Sequence, residues 1–79
     1  MASRAFVLIT TSVGKTPDVL KALKKCEGVT SVDAVTGPYD IIAVVDTPDL
    51  QTAGDLLTKH IHHIEGITRT VTCLGIKIS

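Results

Sequence analysis

The chain has 79 residues, 44% of them hydrophobic and 20% charged, a balance that fits one small globular domain and excludes a disordered tail. Eight basic residues balance eight acidic ones, and the basic ones are scattered, which excludes a phosphate-binding footprint for nucleic acid and a polybasic membrane anchor. No apolar run approaches the roughly 18 residues of a membrane span, and the N-terminal run is too short for a signal peptide, so a cytoplasmic protein is expected.

With no Trp, one Tyr and one Phe, the core has to be built from Val, Ile, Leu and Ala. A domain of this size buries only about 60% of the surface that its unfolded chain exposes. Cys26 and Cys73 form neither a disulfide framework nor a metal staple, and they are expected to be buried free thiols. Self-association is the remaining way to gain buried surface.

Ala5-Phe6-Val7-Leu8-Ile9 is apolar on both alternating faces and reads as a central strand. Thr16-Pro17-Asp18 supplies an N-cap, a proline at the first helical position and an acidic first turn. Val19, Leu20, Leu23 and Cys26 follow at helical spacing, with Lys21, Lys24 and Lys25 largely off that stripe. Gly28 ends the helix. Ser31 to Thr36 is a weaker, alternating strand suited to a sheet edge, and Thr36-Gly37-Pro38-Tyr39 is a turn. Ile41-Ile42-Ala43-Val44-Val45 is the second central strand. Thr47-Pro48-Asp49 repeats the helix start, and Leu50, Ala53, Leu57, Ile61 and Ile64 make one apolar face. Glu65-Gly66-Ile67-Thr68 repeats Glu27-Gly28-Val29-Thr30, and Thr68 to Ile78 is the other edge strand. Asp49 to Gly66 spans 17 positions against 10 from Asp18 to Gly28, so the second helix is expected to be about two turns longer.

This β-α-β-β-α-β order defines a ferredoxin-like α+β sandwich, with the first and third strands at the centre and both helices on one face. Phe6, Leu8, Ile42 and Val44 would point to the other face and make it too apolar to stay in water. A second copy packed sheet to sheet would cover it, so at least a homodimer is expected.

The candidate chemistry is sparse. His60 and His63 share a helix face while His62 points elsewhere, and no Cys, Asp or Glu completes a ligand set. A helix C-terminus favours histidines in any case, so no metal or cofactor is expected. There is no Gly-x-Ser-x-Gly elbow, and Gly14-Lys15-Thr16 lacks the earlier glycine of a phosphate loop. Acidic residues stand alone rather than in pairs, which leaves no catalytic candidate. What remains is Gly37-Pro38-Tyr39-Asp40. Asp40 either accepts backbone N–H bonds as the third strand begins or, being at risk of burial before five apolar residues, meets a cation such as a ligand ammonium. Thr70 and Thr72 place two hydroxyls on one face of the last strand, or simply reflect strand propensity.

Val35-Thr36-Gly37-Pro38-Tyr39-Asp40 at the hairpin and Gly66-Ile67-Thr68-Arg69-Thr70-Val71-Thr72 entering the last strand resemble the effector-binding domain of the Lrp/AsnC family of regulators, also called the RAM domain. The resemblance runs from about Ala5 to Ile78. It implies a single ligand-binding domain over residues 1–79 that pairs through its sheet into dimers, and these assemble into an octamer- or decamer-like ring. It also implies amino-acid effectors bound between dimers, at positions matching Gly37, Tyr39, Asp40, Thr70 and Thr72. Asp40 would then pair with the ammonium, and backbone N–H groups around Gly37 would receive the carboxylate. Thr70 and Thr72 would bond the ligand from a neighbouring subunit, and Tyr39 would wall the pocket. Full-length members carry an N-terminal helix-turn-helix domain. Here the first strand starts within a few residues of Met1, so no such domain is expected, and any effect on DNA would pass through full-length regulators of the family. The rival reading is a small dimeric α/β-barrel enzyme, monooxygenase- or isomerase-like, since the same unit builds both. On the helix faces its polar candidates are Cys26 and the crowded histidines.

Overall fold

A computed structural model describes residues 3–76. The two apolar runs become adjacent antiparallel strands, β1 (Ser3–Thr11) and β3 (Ile41–Thr47), with Phe6 opposite Val44 and Val7 opposite Ala43. The polar-alternating strands β2 (Val29–Ala34) and β4 (Ile67–Leu74) take the edges, giving the sheet order β2-β3-β1-β4. The helices α1 (Thr16–Lys24) and α2 (Leu50–Lys59) complete the expected ferredoxin-like βαββαβ order.

Strand alternation sorts the apolar residues between the two faces. Ala5, Val7 and Ile9 of β1 and Ile41, Ala43 and Val45 of β3 are fully buried, together with Val19 and Leu23 of α1, while Ala53 and Leu56 of α2 are nearly so. These form one aliphatic core, in which burying a Val, Leu or Ile side chain contributes about 2 kcal/mol. Both helices therefore lie on one face. The alternate set, Phe6, Leu8, Ile42 and Val44, points to the other face, where Phe6 remains 38% exposed and the rest are half-buried.

The repeated Thr-Pro-Asp is used in two different ways. In α1, Pro17 and Asp18 occupy the first turn as expected, but Lys15 holds the cap position without a side-chain hydrogen bond. Thr16 instead shares a hydroxyl bond with Thr11 at 2.7 Å. In α2 the cap is Asp49 rather than Thr47. Its carboxylate accepts from the Thr52 N–H and the Thr52 hydroxyl, both at 2.7 Å. Thr47 is still strand, buried, with its hydroxyl donating to the Asp49 carbonyl.

The expected apolar stripe holds at Ala53 and Ile61, which are buried, and at Leu57 and Ile64, which pack against the core, and it departs at the start of α2. Leu50, in its first turn, is 57% exposed, and Leu56 goes into the core. The expected two extra turns are not α-helix either. The chain breaks at His60 (φ −120°, ψ −60°) and makes a single 3₁₀ turn over Ile61–His63. A continued α-helix would advance about 5.4 Å per turn past the end of the sheet. The tighter turn instead drops Ile61 fully into the core. Gly66, at φ +103°, then reverses the chain where a Cβ would stand 2.9 Å from the Lys15 Cβ. The last residues of the expected edge strand, Lys77 and Ile78, lie outside the described residues.

Candidate functional site

The loop over residues 35–40 joins β2 to β3 and is closed by a hydrogen bond from the Val35 N–H to the Asp40 carbonyl at 2.9 Å. Gly37 sits at φ +127° in this loop, a conformation open to glycine. The Asp40 N–H donates to the Ile9 carbonyl at 2.9 Å. Its carboxylate Oδ2 accepts from the Thr11 N–H at 2.8 Å and from the Thr11 hydroxyl at 3.3 Å. The half-buried carboxylate is thus held by backbone and hydroxyl donors, the first of the two arrangements its position allows. Its other oxygen, Oδ1, makes no hydrogen bond among the described residues. Tyr39 is half-buried beside it and Gly37 is exposed.

On β4, Thr70 stands opposite Ile9 and Thr72 opposite Val7. Both therefore project to the helix side of the sheet edge, Thr70 half-buried and Thr72 exposed. The Thr70 hydroxyl lies 3.2 Å from His62 Nε2. His62 escapes a sequence reading that continues α2 as one helix, because the 3₁₀ turn is what swings it over β4. His62, Ile67, Thr68, Arg69 and Thr70 line a shallow cleft of about 200 Å³.

The loop and the β4 residues share one end of the sheet without meeting. The backbones of Asp40 and Thr70 flank β1 from opposite sides, two strand spacings or about 10 Å apart. Thr72 lies two residues further along β4, roughly 7 Å more distant from the loop.

A larger groove of about 630 Å³ opens between α2 and the α1–β2 junction, with Gly28, Thr47, Pro48, Asp55, Leu56 and His60 among its lining. Gly28 and Leu56 meet closely in that lining: a Cβ on Gly28 would stand 3.0 Å from Leu56 Cδ2. The sequence reading does not foresee it, since the close approach joins residues remote in the chain.

The thiols part company. Cys26 is half-buried, its Sγ–H donates to the Ala22 carbonyl at 3.5 Å, and burial raises its pKa. Cys73 is exposed rather than buried as expected, because it stands opposite Phe6 on the uncovered sheet face. At one end of that face Arg4 Nε donates to Asp46 Oδ1 at 2.8 Å and Arg4 Nη2 to Oδ2 at 3.3 Å. The hydrogen bond from Arg4, with a further one from the Thr30 hydroxyl, holds the Asp46 carboxyl below its ordinary range. Among the described residues no three His, Cys, Asp or Glu side chains gather where they could hold a metal ion, and no helix is long and apolar enough to cross a membrane.

An all-antiparallel four-stranded sheet under two helices, with polar clusters at one end of the sheet, is the architecture of a ferredoxin-like α+β domain. Within that class the chain belongs to the Lrp/AsnC family, since residues 4–78 match the model of the Lrp/AsnC ligand binding domain. TTHA0845 from Thermus thermophilus is 34% identical, with a TM-score of 0.91 over 98% of this chain and 96% of its own. The hypothetical protein PHS023 from Pyrococcus horikoshii is 31% identical, with a TM-score of 0.89 over 99% and 93%. AsnC of E. coli is 25% identical with a TM-score of 0.90, and the alignment covers 96% of this chain but 52% of AsnC. No curated protein sequence matches the chain. The domain is a regulatory ligand-sensing module of the Lrp/AsnC family.

Proposed function

We propose that this chain senses a free amino acid at a site completed between subunits, and that occupancy is read out as assembly. The observation that carries the proposal is the separation of Asp40 and Thr70. The two backbones stand about 10 Å apart and no hydrogen bond joins the two side chains among the described residues, whereas the ammonium and carboxylate of an amino acid hang on one carbon. A neighbouring copy supplies the second half. Asp40, with Oδ1 uncommitted, takes the ammonium in a charge-assisted bond. Gly37 and Tyr39 shape the loop around it, and Thr70 and Thr72 of the neighbouring copy complete the site.

The sheet face supports the same reading. Phe6, Leu8, Ile42 and Val44 form an apolar patch that a second copy covers, and the resulting dimers assemble further into rings. A ligand held between subunits binds only the assembled form and stabilises it by about RT ln(1 + [L]/Kd) per site. Assembly with full-length regulators of the family would carry the signal to DNA by the same surfaces. Native mass spectrometry with and without a mixture of amino acids tests this. An even-numbered assembly larger than a dimer, gaining amino-acid mass at about one per interface, is the expected result. An assembly indifferent to every amino acid would overturn it.

A further inference from the structure

We infer that the groove between α2 and the α1–β2 junction is a second ligand site, for a short apolar peptide with free ends. It lies at the other end of the sheet from Asp40 and Thr70. Thr47 pairs with Ser3 at the start of β1, whereas the Asp40 N–H meets Ile9 near the end of that strand, about 20 Å further along. The groove shares no lining residue with the amino-acid half-sites.

Its volume of about 630 Å³ is that of a small-molecule site, and Gly28, Pro48 and Leu56 supply apolar lining. Thr52, Asp55, Leu56 and Lys59 of α2 all face it, at the three- and four-residue spacing of one helix stripe. Asp46 meets the groove through its backbone, with its carbonyl 3.8 Å from a Cβ built on Gly28, while its carboxylate is held by Arg4 on the other sheet face. The Thr47 and Thr52 hydroxyls are committed to the carbonyl and carboxylate of Asp49. The charges that remain are Glu27 and Asp55 of one sign and Lys59 of the other, and none of the three makes an ion pair among the described residues.

These charges are ordered along the groove. Asp55 precedes Lys59 by one helical turn, about 6 Å along the axis. The groove adjoins a hollow of about 300 Å³ that shares Glu27, Leu56 and His60 with it and adds Lys25, so the trough runs from carboxylate to ammonium. A free amino acid, with both charges on one carbon, cannot reach both ends. A dipeptide can, since two extended residues span about 7 Å. Its ammonium meets Asp55 and Glu27, its carboxylate meets Lys59, and its apolar side chains lie against Pro48 and Leu56.

The test is calorimetric titration of the intact chain with L-leucyl-L-leucine, its N-acetyl form and its C-terminal amide. The wild type is expected to bind the free dipeptide about three- to tenfold more tightly than either capped form. Asp55→Asn should abolish the preference over the N-acetyl form, and Lys59→Gln the preference over the amide. Both side chains are exposed, so both variants should fold. Asp40→Asn, which alters the amino-acid half-site, should leave dipeptide binding unchanged. A wild type that ignores the dipeptide or binds the capped forms equally overturns the second site and leaves the sensor reading standing. A preference that survives its matching substitution overturns it as well. Loss of dipeptide binding in Asp40→Asn would put the peptide in the amino-acid site and also overturn the assignment.

Discussion

The Asp40 carboxylate meets the Thr11 backbone N–H at 2.8 Å, so the loop that carries the proposed ammonium partner is tied to the end of the central strand β1. Stability and ligand binding therefore draw on the same side chain, and the two roles separate by substitution. Asp40→Ala leaves the Thr11 N–H without its partner and should lower stability by about 1–2 kcal/mol. Asp40→Asn keeps an acceptor oxygen for Thr11 and should fold with nearly wild-type stability while losing the charge that pairs with an ammonium. Denaturant titration should rank Asn above Ala, whereas amino-acid binding should be weakened at least tenfold in both. Unchanged affinity in Asp40→Asn would remove Asp40 from the site.

Phe6 and Val44 face each other across the uncovered side of the sheet, away from the core. A charge at either position should leave the fold intact and break the proposed sheet-to-sheet dimer, since it would be buried there without a partner. Val44→Glu is expected to run as a monomer with an unchanged circular dichroism spectrum. Cys73, opposite Phe6 on the same face, supplies an internal probe. It should react with a thiol reagent in the Val44→Glu variant and be protected in the wild type if the proposed dimer covers this face. A Val44→Glu chain that stays dimeric would locate the interface elsewhere.

Much of this fold is legible in the sequence because two apolar strands and two Pro-marked helices need only local rules. The alternation of Ala5 to Ile9 and of Ile41 to Val45 fixes which side chains meet the helices, and β2 and β4 announce themselves as edges by their Thr and Ser content. The details that escape depend on tertiary contacts. The cap moves from Thr47 to Asp49 because β3 runs on through Thr47, and no local signal marks where a strand stops. The 3₁₀ turn after His60 answers to the place where Ile61 must enter the core. The site is half legible for the same reason. Asp40 stands out as a charge beside an apolar run, but its partner Thr11 lies 29 residues away, and His62 reaches Thr70 only because α2 ends early.

The start of α2 makes a sharp comparison of two leucines. Leu56 lies in the core and Leu50 is 57% exposed, although even helical spacing along the chain places Leu50 on the apolar face. Leu56→Ala should cost about 2–5 kcal/mol, a large part of the roughly 5–15 kcal/mol that holds a domain together. Leu50→Ala should change stability by less than about 0.5 kcal/mol. Chemical denaturation of the two variants decides it, and equal losses would mean that α2 packs in another register.

Asp49 caps α2 and Asp46 pairs with Arg4, and the same physics lowers both carboxyl pKa values below the ordinary 3.8. For Asp49 the cause is chiefly the backbone N–H of Thr52, then its hydroxyl. For Asp46 it is chiefly the hydrogen bond from Arg4. A carboxyl whose pKa is depressed by folding adds stability that is fully present above its unfolded value of about 4 and is lost as pH falls through the lower folded value. The thermal midpoint should therefore hold steady from neutral pH to about 5 and fall below about 4. Asp49→Asn keeps a competent cap but nothing to protonate, so its midpoint should start near the wild type and fall less steeply in acid. Asp46→Asn should also flatten the acid limb, by an amount that falls in high salt because the Arg4 pair is solvent-exposed. Thermal melts of both variants between pH 2 and 7 measure the two slopes. An acid limb as steep in Asp49→Asn as in the wild type would show that the Thr52 donors do not hold the charged form of Asp49.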